Sequence, residues 1–125
     1  MNWSVVAATV LGIAVMLGAF GAHGLKGHLD AYAMGVYDKA VFYHFIHALG
    51  LLLISVLPSS GRLSEAAAAR VCSLLMAGIV LFSGSLYALA ISGERMLGAV
   101  TPLGGIAFIL GWLLLAYSLT PSKQM

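Results

Sequence analysis

Charged side chains are scarce in this chain, and their scarcity defines its class before any motif is considered. Only 8% of the 125 residues are Asp, Glu, Lys or Arg, against about 25% in ordinary soluble domains. Hydrophobic residues make up 62%, where about 45–50% is usual. A single core of this size cannot hide so much apolar surface from water. The composition therefore predicts one integral membrane domain, residues 1–125, surrounded by the lipid bilayer.

Other absences narrow the functions that remain open. The formal net charge is only +2 and no basic cluster interleaved with aromatic residues occurs, so no nucleic acid partner is expected. Cys72 is the only cysteine, which excludes an internal disulfide and a paired CxxC site. No catalytic set is visible, because Ser83 and Ser85 have no base near them on the same apolar run. The sequence predicts no enzymatic activity and no cofactor.

Four apolar runs are long enough to cross a bilayer, which takes about 20 helical residues. Charged residues or prolines bound each run, and none shows strand-type alternation. Backbone groups in lipid must be hydrogen-bonded within their own segment, so the runs are predicted to be helices. The predicted spans are residues 3–22, 40–57, 71–92 and 102–119. The expected fold is all-α, a four-helix transmembrane bundle whose first loop contains glycines and histidines.

Three further expectations concern the ends of the spans. Residues 30–39 are expected to form a short interfacial helix that leads into the second span. Thr101 and Pro102 resemble an N-cap followed by proline at the first helical position. Basic residues divide equally between the two sides of the membrane and leave the orientation open. The cluster of Arg62 and Arg70 in one short loop favours both termini in the cytoplasm.

Small residues recur on one side of three predicted spans when the sequence is placed on a wheel of about 3.6 residues per turn. Helices in lipid associate by close packing of small side chains, so each stripe is expected to face a neighbouring helix. The stripes are Ala7, Ala14, Gly18 and Gly21, then Ser73, Ala77, Gly84 and Ala88, then Gly104, Ala107, Gly111 and Ser118. The second span instead has one polar arc and one bulky apolar arc, and the polar arc is expected to face inward.

His44 and His47, in the stretch YHFIH, carry the polar arc of the second span. Three residues apart, they lie side by side on the helix. Hydrogen bonding between helices is one interpretation, with Tyr37 and Tyr43 in the aromatic belt of the membrane. A second is ligation of a metal, for which His23, His28, Asp30 and Asp38 in the first loop are the candidate further ligands, or of haem between facing histidines. A third is proton handling or transport of a small solute.

Four stretches, LGAFGAHGLK, YHFIHALGLL, LFSGSLYAL and TPLGGIAFILGW, resemble the small YgdD-type family of bacterial inner-membrane proteins, a domain of unknown function. The resemblance covers most of the chain, in order. It implies a multi-pass protein of the cytoplasmic membrane with four spans, and it supplies no reaction, substrate or cofactor. The residues that carry it are Gly21, His23, Gly24, His44, His47, Ser83, Ser85, Tyr87, Thr101, Pro102, Gly104, Gly105 and Trp112.

The favoured hypothesis is a compact, non-enzymatic scaffold or interaction protein of the cell inner membrane. A second copy of the chain or another membrane protein is the expected partner. One alternative is a redox or sensor protein that binds metal or haem through His23, His28, His44 and His47, and another is proton or small-solute transport. The candidate functional cluster consists of His23, Tyr43, His44, His47, Ser83, Ser85, Tyr87 and Thr101.

Overall fold

Four long helices form a bundle in the computed structural model, which describes residues 1–121. Each helix is long and apolar enough to cross a membrane, and the described residues contain no strand. The four spans are Trp3–Leu25, Ala31–Ser60, Glu65–Ser92 and Arg95–Leu119. The predicted all-α, four-helix transmembrane fold is confirmed.

The spans combine α-helix with shorter turns of other helical types. The α-helical parts are Trp3–Phe20, Ala31–Val56, Glu65–Gly78, Gly84–Ser92 and Thr101–Leu119. Gly21–Leu25 and Ile79–Ser83 are π-helical turns, while Leu57–Ser60 and Arg95–Ala99 are 3₁₀ turns. Side chains of Asn2, Asp30 and Ser64 accept hydrogen bonds from the first free backbone N–H groups of the first three spans. These caps fix where the spans begin.

Three spans begin earlier than predicted, and the fourth span does so through the 3₁₀ turn Arg95–Ala99 that precedes its α-helix. Residues 30–39 do not form a separate interfacial helix, because the helix capped by Asp30 runs without interruption into the second span. The first connection is therefore only residues 26–30, with Gly27 in the left-handed region at φ +89°. The third span begins at Glu65, since Ser64 caps it and a run of alanines with high helix propensity follows.

Thr101 does not cap the fourth span. It lies within the helix, after Val100, which already has α-helical dihedral angles and makes no side-chain cap bond. The preceding 3₁₀ turn removes the need for a capping side chain, because the Val100 carbonyl accepts from the Leu103 N–H at 3.0 Å. Pro102 occupies the first turn as predicted. The Thr101 hydroxyl is thus free to bond to another span.

The backbones of consecutive spans lie closest to one another. The first span packs on the second, the second on the third, and the fourth on the third. Gly104 permits the last contact, because a Cβ there would lie 2.7 Å from Cα of Phe82. At the first interface, a Cβ on Gly21 would lie 2.9 Å from Cδ1 of Tyr37. The glycines of the first and fourth stripes therefore face neighbouring spans as predicted.

The predicted stripe on the third span is wrong. Ser73, Ala77 and Ala88 lie on the outer surface, and a Cβ built on Gly84 would meet nothing within 4 Å. Larger side chains form the packed face instead, among them Val71, Cys72, Leu75, Ile79 and Leu86. This span lies between two neighbours and fills the space between them with bulky residues. The π-helical turn Ile79–Ser83 also shifts the helical period that the wheel assumes.

The second span follows its predicted orientation. Its buried face includes Ala40, His44, His47, Ala48, Leu51 and Ile54. Its outward face carries Phe42, Ile46, Leu49, Leu53 and Val56. Bulky apolar side chains gain nothing by avoiding lipid, whereas polar side chains need partners inside the protein. The two histidines are therefore directed into the bundle.

Candidate functional site

His44 connects three spans through its two ring nitrogens. Its Nε2 lies 3.0 Å from the carbonyl oxygen of Val10 in the first span. Its Nδ1 lies 2.8 Å from the hydroxyl of Tyr87 in the third span. A carbonyl oxygen can only accept, so Nε2 carries the proton and donates, and the tyrosine hydroxyl donates to Nδ1 of the neutral ring. Both donors, the Nε2–H of His44 and the O–H of Tyr87, then have an acceptor.

Tyr37 extends this network toward the first connection. Its side chain is only 1% exposed, and its hydroxyl donates to the Leu17 carbonyl oxygen. Its ring contacts Tyr87 edge to face, with centroids 5.2 Å apart. The expected place of Tyr37 in an aromatic belt is therefore wrong. The early start of the second helix puts Tyr37 seven residues before His44, two turns away on the same buried face.

His47 lies among aromatic rings rather than polar groups. Its ring stacks on Phe108 of the fourth span at a centroid distance of 3.5 Å, and Trp112 lies 5.8 Å away. Its Nδ1 is 2.8 Å from the Tyr43 carbonyl oxygen, one turn earlier, and donates to it. The ring is 5% exposed. His47 thus packs the second span against the fourth.

The two serines of the motif LFSGSLYAL also join spans. Ser83 is fully buried, and its hydroxyl donates to the Ala40 carbonyl oxygen of the second span at 2.8 Å. Ser85 donates to the Phe82 carbonyl oxygen at 3.0 Å. Its oxygen also lies 2.6 Å from the Thr101 hydroxyl of the fourth span, which therefore donates to it. The two serines tie the third span to both of its neighbours.

The four histidines do not converge on one point. His23 and His28 are exposed at and after the end of the first span, whereas His44 and His47 are buried and contact different partners. Within residues 1–121 no group of three or more His, Cys, Asp or Glu side chains could hold a metal ion. The geometry brings Tyr43, His44, His47, Ser83 and Tyr87 into the packed interior, pairs Ser85 with Thr101, and leaves His23 outside.

The buried polar side chains give little support to a solute path. In the described part of the chain they are His44, His47, Ser83 and Ser85, all on the second and third spans. A path through the bundle would need polar lining on several helices. The hydrogen-bonding groups of His44, Ser83 and Ser85 are instead used in contacts between spans. The arrangement joins helices through buried hydrogen bonds.

Sequence reasoning missed three contributors to this site. The Val10 carbonyl oxygen has no side-chain signal by which it could be found. Nothing in the sequence distinguishes Phe108 from the other apolar residues of the fourth span. Tyr37 could have been found, because its spacing of seven residues from His44 places both on one helical face.

Four membrane-length helices, held together by buried polar contacts, define a small multi-pass helical membrane protein. The chain belongs to the family described as "Protein of unknown function (DUF423)", whose profile matches residues 17–105. This family membership confirms the resemblance inferred from the motifs.

Relatives in several bacteria agree with this assignment. The chain is 48% identical to UPF0382 membrane protein SH2409 of Staphylococcus haemolyticus, over 85% of this chain and 84% of the relative. It is 48% identical to UPF0382 membrane protein YwdK of Bacillus subtilis, over 82% of this chain and 83% of the relative. It is 40% identical to a UPF0382 membrane protein of Haemophilus influenzae, over 89% and 87%. No solved structure shows significant similarity to the chain.

Proposed function

We propose that this protein is a non-enzymatic scaffold of the cell inner membrane that associates with a second copy of itself through the outer face of its third span. The observation that carries the proposal is the stripe of small residues that faces away from the bundle. Ala77 and Ala88 are exposed there, and Gly84 has open space beside it. A helix of another molecule could approach closely along this line.

The stripe on the third span differs from the other two. Gly21 of the first span packs against Tyr37, and Gly104 of the fourth against Phe82. In the described residues, the glycine of the third stripe has no such neighbour. In lipid, small residues support association because they let two backbones approach and make van der Waals contacts. A second copy offers the same stripe, so the contact would be self-complementary.

We propose no catalytic role because the buried polar side chains are already engaged in contacts within the bundle. His44, Ser83 and Ser85 each hold a partner on another span. The His47 ring is stacked between apolar surfaces and bonded to its own helix. A general base or nucleophile must reach a substrate atom to act. These side chains serve cohesion between spans, which is what a scaffold requires.

The proposed location is the inner membrane, with both termini in the cytoplasm. Four spans place the two termini and the connection between the second and third spans on one side. That connection and the start of the third span carry Arg62 and Arg70, both exposed. Short cytoplasmic loops are enriched in arginine and lysine. This basic pair supports the cytoplasmic side for the termini.

Counting subunits in lipid tests the proposal. The protein carries a single fluorophore on a C-terminal tag and is reconstituted in liposomes at a low ratio of protein to lipid. We expect mainly two-step photobleaching for the wild type and mainly single steps for Ala77→Leu, because the larger side chain separates the backbones. Ala19→Leu makes the same change at an exposed position of the first span and should keep two steps. Single-step bleaching of the wild type, or no effect of Ala77→Leu, would overturn the proposal.

A further inference from the structure

We infer that the surface where the second and fourth spans meet binds an apolar molecule through a hydroxyl group, which is held between His47 and Trp112. The two side chains are neighbours, with ring centroids 5.8 Å apart. His47 is 5% exposed, whereas Trp112 is 36% exposed on the outside of the bundle. This inference concerns a different surface from the outer stripe of the third span and does not depend on it.

His47 has one hydrogen-bonding atom that the fold does not use. Its Nδ1 donates to the Tyr43 carbonyl oxygen at 2.8 Å, so the neutral ring carries its proton there and Nε2 holds a lone pair. Nε2 has no partner among residues 1–121, although every enclosed side-chain nitrogen or oxygen in that range has one. Nε2 is therefore an atom by which the ring reaches the bundle surface. Its lone pair needs a donor from outside the protein.

Trp112 offers the complementary group beside it. The ring edge that contains Cζ2 lies against Gly50, where a Cβ would be 3.1 Å from that atom. Gly50 follows His47 by three residues, so both lie on one face of the second span. The indole Nε1 is bonded to the carbon next to Cζ2, and its N–H can only donate. It takes no part in the side-chain hydrogen bonds that join spans in the described chain.

The depth of the site selects an apolar ligand. His47 lies close to the middle of the second span, Ala31–Ser60. Water and phospholipid headgroups are absent from the hydrocarbon core of a bilayer, and a polar group left without a partner there is costly. The aromatic rings of Tyr43, Phe108 and Trp112 surround the imidazole. The missing partner is therefore a molecule that carries its own polar group into the core.

The two unpaired groups together select a hydroxyl. A hydroxyl donates its proton to Nε2 of His47, and its oxygen accepts from the N–H of Trp112. It meets both needs with a single polar atom, which keeps the cost of carrying it into hydrocarbon low. A carbonyl or ether oxygen leaves Nε2 without a donor, and an ammonium group leaves the indole without an acceptor. The Tyr43 hydroxyl, which also makes no bond to another span in the described chain, can donate or accept and fits the same ligand.

Quenching of tryptophan fluorescence in liposomes tests the inference. Trp3→Phe leaves Trp112 as the only tryptophan of the full-length chain. The probes are para-bromophenol and its methyl ether, para-bromoanisole, because bromine quenches a tryptophan that it contacts and only the phenol can donate. With concentrations corrected for partitioning into the membrane, we expect quenching by the phenol to saturate at an about tenfold lower concentration, as expected for one hydrogen bond. Equal half-saturation by the two probes would overturn the inference, since Nε2 would then bind water or nothing.

Two further variants, made in the Trp3→Phe background, assign the preference to His47. His47→Phe keeps a ring that stacks on Phe108 but has no Nε2, and it should be quenched equally by the phenol and the ether. Tyr43→Phe removes the neighbouring hydroxyl and should keep the preference for the phenol. Retention of the preference in His47→Phe, or its loss in both variants, would show that Nε2 of His47 does not hold the hydroxyl group.

Discussion

The imidazole of His44 stands between the carbonyl oxygen of Val10 and the hydroxyl of Tyr87, at 3.0 Å and 2.8 Å. One side chain of the second span thereby holds the first and third spans. Because the carbonyl oxygen of Val10 can only accept, the ring proton lies on Nε2 and Nδ1 accepts from Tyr87. In lipid, hydrogen bonds of this kind contribute to the association of neighbouring helices.

Gly104 and Gly105 form a matched pair at the contact between the third and fourth spans. A Cβ on Gly104 would lie 2.7 Å from the backbone Cα of Phe82, whereas one on Gly105 would lie 3.9 Å from its ring. We expect Gly104→Ala to reduce the free energy of unfolding by about 1–3 kcal/mol, the usual cost of overpacking. Gly105→Ala should be neutral or slightly stabilising. Denaturation by SDS in mixed micelles measures both, and an equal effect of the two substitutions would contradict the packing described here.

Ser83 and Ser73 test the value of a hydrogen bond between spans. Ser83 donates to Ala40 on the second span, whereas Ser73 donates to Ala69 within its own helix. We expect Ser83→Ala to cost about 0.6–1.7 kcal/mol, the range found for such bonds in membranes, and Ser73→Ala to cost almost nothing. The same unfolding assay reads both variants. If Ser73→Ala lowered the free energy of unfolding more than Ser83→Ala, the hydrogen bond to Ala40 would not be what holds the two spans together.

The proposed orientation can be tested with fusions at the C terminus. The proposed placement of both termini in the cytoplasm predicts that a fused green fluorescent protein fluoresces and that a fused alkaline phosphatase is inactive. Replacing Arg62 and Arg70 together by alanine should raise phosphatase activity in part of the population, because the basic bias of that side is reduced. Strong phosphatase activity of the unaltered fusion would place the termini on the opposite side.

The histidines make a prediction about metal. Because His23, His28, His44 and His47 do not form one cluster, we expect purified protein to contain far less than one metal ion or haem per chain. Elemental analysis and the absorption near the Soret band measure this directly. His44→Ala combined with His47→Ala should leave both readings unchanged. Stoichiometric metal or haem that the double variant loses would revive the alternative of a redox or sensor protein.

The four spans and the orientation of the second were accessible from sequence because they depend on gross differences in polarity. Phe42, Ile46 and Leu53 stand opposite His44 and His47 on any wheel, and lipid separates the two sets. The third span has no such contrast in polarity between its two faces. Its Ala77 and its Val71 are both apolar, and only the positions of two neighbouring helices decide which faces inward.

Helix ends and main-chain hydrogen-bond partners are the other features that the sequence did not predict. The start of the second span depended on whether the charged pair Asp38 and Lys39 would end the helix, and both lie exposed on a continuous helix instead. This early start is what buries Tyr37. The bond from His44 to Val10 could not be foreseen, because any residue offers a carbonyl oxygen and only the packed structure selects one.

A double-mutant cycle between His44 and Tyr87 tests most directly the claim that the buried polar residues hold the spans together. Unfolding free energies are measured for the wild type, His44→Ala, Tyr87→Phe and the double variant in the same micelles. We expect a favourable coupling of about 0.6–1.7 kcal/mol between the two side chains, with each single variant destabilised. A coupling indistinguishable from zero, with Tyr87→Phe as stable as the wild type, would contradict the structural role assigned to the histidine.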